Sequence, residues 1–202
     1  MSQAAVVYRR NPQPSRGLAA TGAIFGFKAV LLVPHAIIIG ALSYVAWAVA
    51  YIGFWVVALT GNLPAGMQNM MKMWLRWGTR SYGWLAGITD QYPPFDPDPT
   101  GYPIDLQPPT NDAPRKGWAV AGIFLVKFFA AIPHLFVLAF VEMAAILATW
   151  VGFVAVVFTG RFPEGIQDFV AGTMQWYARV MSWLFGLTDE YPPFTVEISP
   201  TA

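Results

Sequence analysis

The sequence contains no cysteine and few charged residues. Without cysteine, the chain can form no disulfide, no thiolate metal site and no cysteine nucleophile. Charged residues make up 11% of its 202 residues and hydrophobic residues 56%, whereas soluble domains contain about 25% charged residues. So few charges could not keep a surface of this composition in water. The composition therefore predicts an integral membrane protein.

Acidic residues are absent from the first 89 positions. Asp90 is the first of the eleven acids, and seven of the twelve Lys and Arg residues precede it. A basic half is attracted to anionic lipid, so we expect the lipid bilayer and its anionic headgroups to be partners. Because Trp, Met and Phe separate these bases in apolar stretches, we expect no binding of nucleic acid.

The common signatures of catalysis are also missing. The chain has no phosphate-cradling glycine loop, no dinucleotide fingerprint and no pairing of a nucleophile with a base. Its two histidines and scattered acids do not have the spacing of zinc ligands. We therefore predict that the protein is not an enzyme and has no catalytic residues, no cofactor and no metal.

An internal repeat organises the chain. Pro34-His35 recurs 99 residues later as Pro133-His134. The same offset aligns Lys28 with Lys127, Thr60-Gly61 with Thr159-Gly160, and Thr89-Asp90-Gln91-Tyr92-Pro93-Pro94-Phe95 with Thr188-Asp189-Glu190-Tyr191-Pro192-Pro193-Phe194. We predict a basic tail at 1–17, a first membrane repeat at 18–95, an extended and solvated Pro/Asp-rich linker at 96–116, a second membrane repeat at 117–194 and a C-terminal tail at 195–202.

Each repeat is predicted to contain three helical segments, at 18–33, 36–59 and 64–88 in the first copy and at 118–132, 135–158 and 163–187 in the second. The middle segment is apolar and exceeds the about 20 residues that a bilayer core requires. We predict an all-α membrane protein whose first two segments form a transmembrane hairpin that turns at Pro-His, with about four spans in total. In the alternative, segments 36–60 and 64–88 are the crossing pair.

The third segment combines a tryptophan-rich apolar face with a polar face. Steps of about 100° place Lys72, Arg76 and Arg80 on the polar face, with Arg179 in the second copy. An amphipathic helix of this kind normally lies in the membrane interface. We therefore predict that these four residues bind lipid headgroups.

The bases that flank each repeat predict its orientation. Arg9, Arg10 and Arg16 precede the first repeat, and Arg115 and Lys116 precede the second. The positive-inside tendency then starts both repeats in the cytoplasm, so that the copies are parallel and both termini are cytoplasmic. The predicted location is multi-pass in the inner (plasma) membrane.

A series of spaced motifs in the second repeat carries a family resemblance. They are Ile132-Pro133-His134, Phe158-Thr159-Gly160-Arg161-Phe162-Pro163, Trp176, Arg179 and Thr188-Asp189-Glu190-Tyr191-Pro192-Pro193-Phe194. In this order they resemble the bacterial family called domain of unknown function 4389. The first repeat looks like a divergent copy, with Val33 before Pro-His and Asn62-Leu63 in place of Arg-Phe. The resemblance implies a membrane-embedded bacterial protein, and it implies no activity, cofactor or catalytic residue.

The two histidines are candidate ligands. His35 and His134 occupy equivalent places, and such a pair could ligate one haem iron from opposite sides. The alternative is that each histidine makes hydrogen bonds at a helix bend and holds no cofactor.

Glu142 is the one acid inside an apolar segment, which makes it a candidate proton-relay or ion-binding group. Its counterpart is Ser43, so the repeat itself does not require a carboxylate there. The alternative is a structural acid paired with Lys127, while Lys28 extends outward from its short segment.

The Tyr-Pro-Pro-Phe endings are predicted to anchor the chain at the headgroups through Tyr92, Phe95, Tyr191 and Phe194. In the alternative, they dock a protein that recognises polyproline.

These features predict a non-enzymatic membrane protein, a scaffold or accessory subunit that binds anionic lipid and a membrane protein partner or a second copy of itself. One alternative is a small transporter or ion- and proton-conducting protein that uses Glu142. The other is a membrane haem protein with two histidine ligands.

Overall fold

The computed structural model describes residues 3–24 and 26–198 as a mostly helical fold. Within these ranges there are seven helices and two short strands. In chain order they are β1 (Ala5–Tyr8), α1 (Arg16–Ala23), α2 (Phe27–Leu31), α3 (Val33–Thr60), α4 (Ala65–Leu85), β2 (Ile104–Gln107), α5 (Lys116–Ile123), α6 (Val126–Thr159) and α7 (Glu164–Leu184). Both repeats therefore share a strand, a short helix and two long helices.

The longest helices, α3 and α6, form from almost uninterrupted apolar residues. Each ends at its Thr-Gly pair, where Gly61 and Gly160 have φ angles of 77° and 73°. This left-handed conformation ends a helix and favours glycine. At the other end of α3, Pro34 lies in the first turn, where a missing N–H leaves no helical hydrogen bond unmade.

The predicted hairpin turn at the Pro-His pair is wrong. α6 runs through Pro133 and His134 without a break, and the chain turns earlier, at Gly26 in the first repeat and Leu125 in the second, both with positive φ. The helices before these turns, α1 and α5, have eight residues each and are too short to cross a bilayer. Over the described ranges, two helices, α3 and α6, are long and apolar enough to do so, where we predicted about four spans.

These two helices differ from the core helices of a soluble protein. In their apolar windows only 17% and 22% of the residues are buried. Their outward faces expose large side chains such as Ile37, Tyr44 and Phe136. The rest of the protein therefore covers one side of each helix and leaves the other side bare.

α4 and α7 run back along α3 and α6 and are buried on more than one face. Trp74 Nε1 donates to the Ile39 carbonyl and Trp77 Nε1 to His35, which sets α4 antiparallel to α3. Trp84 and Trp183, on the tryptophan-rich face of the third segment, are 2% and 0% exposed. The predicted interfacial position of the third segment is therefore wrong for these tryptophans, because they pack inside the protein.

The segments before each repeat pack on the opposite repeat. β1 pairs with β2 in antiparallel register, from Ala5 opposite Gln107 to Tyr8 opposite Ile104. β1 lies on α7 and β2 on α4, while α1 packs against α6 and α5 against α3. The two repeats are interlocked as a twofold-like pair around a large hydrophobic core, with a smaller apolar cluster between α1 and α6.

This interlocking corrects the predicted tail and linker. Ala4 and Val6 of the predicted basic tail, and Ile104 and Leu106 of the predicted solvated linker, are at most 1% exposed and belong to the core. Each strand has only four residues, which are too few to stand out in the basic tail or in the Pro/Asp-rich linker.

The repeat also extends upstream of Lys28, with a shift of one residue. Gly22 faces Phe153 and Gly122 faces Phe54, so α1 and α5 correspond at an offset of 100 rather than 99. The first repeat has its extra residue in the turn between α1 and α2. In the second repeat, Phe124 and Leu125 alone join α5 to α6.

The close approach of α5 to α3 gives a test of the interlocked packing. A methyl group on Gly122 would lie 2.5 Å from the Phe54 ring. We expect Gly122→Ala to lower the free energy of unfolding by about 1–3 kcal/mol, the usual cost of overpacking. Gly117, on the same helix, has no neighbour within 4 Å, so Gly117→Ala should not destabilise the protein. Thermal unfolding in detergent measures both, and equal melting temperatures would contradict the packing.

Candidate functional site

Each histidine is enclosed by aromatic side chains of its own repeat. His35 Nδ1 accepts a hydrogen bond of 2.9 Å from Trp77 Nε1, and its ring stacks on Phe95 with 4.0 Å between centroids. His134 repeats the arrangement with Phe194 at 3.7 Å and a tryptophan N–H at 3.1 Å. Both histidines are 0% exposed. The Pro-His and Tyr-Pro-Pro-Phe motifs thus build one histidine cluster in each repeat.

The predicted headgroup anchors are the outer walls of these clusters. Tyr92 donates its hydroxyl hydrogen to the Leu31 carbonyl at 2.7 Å, and Tyr191 donates to the Ala130 carbonyl at 2.8 Å. The rings of Tyr92, Phe95, Tyr191 and Phe194 remain 39–56% exposed. They close the clusters from one side, and their contact with headgroups stays a prediction.

This geometry does not favour haem. Because Nδ1 of each histidine accepts a tryptophan N–H, the neutral imidazole carries its proton on Nε2. A haem ligand must present an unprotonated nitrogen to the iron, and here Nε2 of His35 and His134 is buried. Among the residues that the structure describes, no group of three or more His, Cys, Asp and Glu side chains is placed to hold a metal ion.

The two repeated lysines are buried instead of extending outward. Lys28 is 1% exposed, donates to the Trp84 carbonyl, and lies 4.5 Å from the Trp84 ring centroid and 5.0 Å from that of Phe153. Lys127 lies 4.7 Å from the Trp183 centroid and 5.2 Å from that of Phe54. Phe153 and Phe54 come from the opposite repeats, so each lysine contacts both repeats. The predicted outward extension of Lys28 is therefore wrong.

The Thr-Asp pairs tie the start of each short helix to the end of a long one. Asp90 accepts hydrogen bonds from the Ser15 N–H at 2.6 Å and from Asn11 Nδ2 at 2.8 Å. Asp189 accepts from the Arg115 N–H at 2.7 Å. These carboxylates hold α1 and α5 in position.

The predicted headgroup-binding residues instead donate hydrogen bonds to the segments in front of the repeats. Arg80 is 1% exposed and its Nη2 donates to Asp105 at 2.9 Å. Arg76 donates to the Leu106 carbonyl at 3.1 Å, Lys72 to the Thr110 hydroxyl, and Arg179 to the Ala4 carbonyl at 3.2 Å. The headgroup prediction is therefore wrong for the buried Arg80 and Arg179, because the segments in front of the repeats cover them.

Glu142 lies in the wall of a cavity between the repeats. Its Oε2 accepts a hydrogen bond of 2.9 Å from the Tyr82 hydroxyl, whereas Lys127, its predicted partner, lies against Trp183. Burial raises the pKa of the Tyr82 hydroxyl, and the Glu142 carboxylate raises it further. Burial and the same carboxylate also raise the pKa of Tyr177. Both tyrosines therefore stay protonated and can donate hydrogen bonds.

Tyr82 and Tyr177 were not among the predicted site residues. Tyr82 lies 60 residues from Glu142 in the chain, so no local motif connects them. The alignment of the two repeats could have indicated them, because neither tyrosine is repeated. The position equivalent to Tyr82 is Met181, and the position equivalent to Tyr177 is Gly78.

Comparison with known proteins identifies both repeats. The sequence model of the family described as "Domain of unknown function (DUF4389)" matches residues 23–96 and 123–195, more than half of the chain. This confirms the resemblance and the tandem copies. No curated protein and no solved structure matches the chain.

The histidine clusters give a test of their hydrogen bonds. Trp77→Phe keeps an aromatic ring but leaves the buried His35 Nδ1 without its donor, and we expect it to cost about 1–3 kcal/mol of unfolding free energy. Trp176→Phe should have a similar effect in the second repeat. The N–H of Trp150 also bonds to a carbonyl, but at an exposed position, so Trp150→Phe is the control and should cost less. Chemical denaturation compares the three, and an equal loss at Trp150 would contradict the assigned role.

Buried Lys28 gives a test in pH. Burial lowers its pKa from 10.5 to about 8, although the Asp90 carboxylate opposes the shift. Between these two values the unfolded chain binds more protons than the folded one, so this lysine makes stability rise as pH increases from about 8 to about 10.5. Lys28→Met lacks that contribution. The stability difference between wild type and variant, measured across this range, should therefore shift in favour of wild type. A stability difference that does not change with pH would contradict the lowered pKa of Lys28.

Proposed function

The chain belongs to the DUF4389 family, and on that premise we propose that it is a non-enzymatic membrane protein, a scaffold or accessory subunit that α3 and α6 hold in the bilayer. The observation that carries this proposal is the bare apolar face of both helices. Ile37, Leu59, Phe136 and Phe158 on these faces are 65–78% exposed. Soluble monomers rarely expose so extended an apolar surface.

We infer that α3 and α6 lie along the membrane plane and do not cross it. The linker follows α4 over most of its length: Asp105 accepts from Arg80 near one end, and the Asn111 N–H donates to Gln68 Oε1 near the other. Since α4 runs along α3, a crossing α3 would carry this irregular backbone, with its exposed Asp112, into the hydrocarbon core. Irregular backbone is tolerated there only where protein or water covers it.

The helix lengths agree with the in-plane arrangement. α3 has 28 residues and α6 has 34, which correspond to about 42 Å and about 51 Å. The hydrocarbon core is about 30 Å thick. Crossing helices of these lengths would have to tilt strongly, whereas helices in the interface need not match the bilayer thickness.

Exposed bases at the ends of the long helices replace the buried ones as candidate headgroup ligands. Arg16, Lys116 and Arg161 are exposed, and each base near an anionic surface adds about 1 kcal/mol. A protein partner would contact the opposite side of the molecule, which the linker forms and where Asp98 is exposed.

Conduction through Glu142 has less support. Among the described residues that line its cavity there is no second acid and no histidine, lysine or arginine. A proton relay through Glu142 would therefore lack its next acid or base.

Single-cysteine variants can measure how the helices sit, because the chain has no native cysteine. Ile37, Ala48 and Leu59 lie on the exposed face of α3 at eleven-residue intervals, about 16 Å apart. Phe136, Leu147 and Phe158 are their counterparts on α6. After fluorescent labelling in lipid vesicles, quenchers at known depths should place all three labels of each helix at one similar, shallow depth.

The linker provides the matched control, since labels on Asp98→Cys and Asp112→Cys should stay in water. A gradient with Ala48 deepest and both ends shallow would show that α3 crosses the bilayer, and would contradict the in-plane arrangement. Labels that stay in water at all six helix positions would contradict the membrane proposal itself.

A further inference from the structure

A cavity of about 380 Å³ lies between α4 and α7. This volume falls within the range of small-molecule sites, about 300–1,000 Å³. Much of its wall is apolar, with Ile39, Leu75 and Met174 among the lining side chains. The cavity therefore suits an apolar molecule of modest size.

One carboxylate interrupts this wall. Among the polar groups that the structure describes, Glu142 has one hydrogen-bond donor, the Tyr82 hydroxyl, which bonds to Oε2. No lysine or arginine among the described lining residues balances its charge. Because an unpaired carboxylate in apolar surroundings is costly, a cationic ligand group would be stabilised beside it.

Aromatic rings line the same cavity. Trp74, Tyr82 and Tyr177 line the cavity together with Glu142. The faces of such rings attract ammonium groups, with about 2 kcal/mol in a desolvated site. The combination of three rings and one carboxylate is chemically suited to an ammonium ion, and it offers no cation to an anionic ligand.

These residues are also where the two repeats differ. Leu75 and Met174 are equivalent apolar residues of the two repeats, and both line the cavity. The cavity therefore lies where the two repeats meet. The polar residues differ between the repeats. The residue equivalent to Glu142 is Ser43, the one equivalent to Tyr82 is Met181, and the one equivalent to Tyr177 is Gly78. The fold of a repeat requires none of the three, yet they meet in one cavity.

We infer that this cavity is a binding site for an amphiphile that carries an ammonium group. The ammonium lies between the Glu142 carboxylate and the rings of Tyr82 and Tyr177, and the apolar body lies on Leu75 and Met174. This assignment goes beyond the membrane scaffold role and does not depend on it.

The test uses the full chain, labelled with 5-fluorotryptophan, in nanodiscs of phosphatidylglycerol. The fluorine signal of Trp74, identified with Trp74→Phe, is followed while hexyltrimethylammonium is added. We expect a saturable shift, and none from hexanol or hexanoate at the same concentrations. Glu142→Gln should weaken binding by about tenfold or more, whereas Ser43→Ala, at the equivalent position of the other repeat, should not.

A second pair of variants keeps the test valid if Glu142→Gln fails to fold. Tyr177 is 41% exposed, so it can be changed with little effect on the core. Tyr177→Phe keeps the ring and should bind normally, while Tyr177→Gly should weaken binding. A shift of Trp74 with hexanol as large as with the ammonium, or full affinity in folded Glu142→Gln, would overturn the assignment.

The source of the ammonium is then distinguished with nanodiscs of phosphatidylcholine. Competition that lowers the apparent affinity there identifies a choline lipid headgroup as the occupant. Unchanged affinity identifies a free amine. Either result supports the ammonium site.

Discussion

The polar faces of α4 and α7 must be covered, and most of the fold follows from how this is done. Arg80 is 1% exposed and Arg179 is 6% exposed, and a buried guanidinium without partners is strongly destabilising. Asp105 and the Pro97 carbonyl accept from Arg80, and the Ala4 carbonyl accepts from Arg179. Each of these partners belongs to the segment in front of the other repeat. Each arginine thus donates to the segment in front of the other repeat, which gives a physical reason for two copies in one chain.

The strands and their flanking segments cover the polar side of α4 and α7. No described segment covers the far side of α3 and α6, whose large apolar side chains are exposed. The protein therefore has a polar layer and an apolar layer that run parallel to its long helices, instead of an apolar belt between two polar ends. The repeated motifs serve this packing: lysine against tryptophan, histidine under phenylalanine, aspartate at the start of a short helix. The residues free to serve a ligand are those that differ between the copies, and Glu142 with its two tyrosines is such a group.

Some of this could be predicted because the signals are local. The Thr-Gly ends of the long helices follow from the left-handed preference of glycine, and the 99-residue register is visible in the letters themselves. The turn before α6 was predicted at Pro133 because proline often ends a helix. The actual turn is at Leu125, a residue type that does not indicate a turn. Helical periodicity places Arg80 on a polar face but cannot say whether water, lipid or a strand covers that face. Lys28 is buried by Phe153 of the other repeat, and only the tertiary structure brings that contact about.

The central claim is that the polar and apolar layers divide the molecule along its helices. Polarised infrared spectroscopy of the protein in aligned bilayers measures this most directly, since amide dichroism reports the mean angle between the helices and the membrane normal. α3 and α4 pack along each other, as do α6 and α7, so the four long helices contribute most of the helical signal. We predict the dichroism of helices that lie close to the membrane plane. Dichroism of helices close to the membrane normal would contradict the claim.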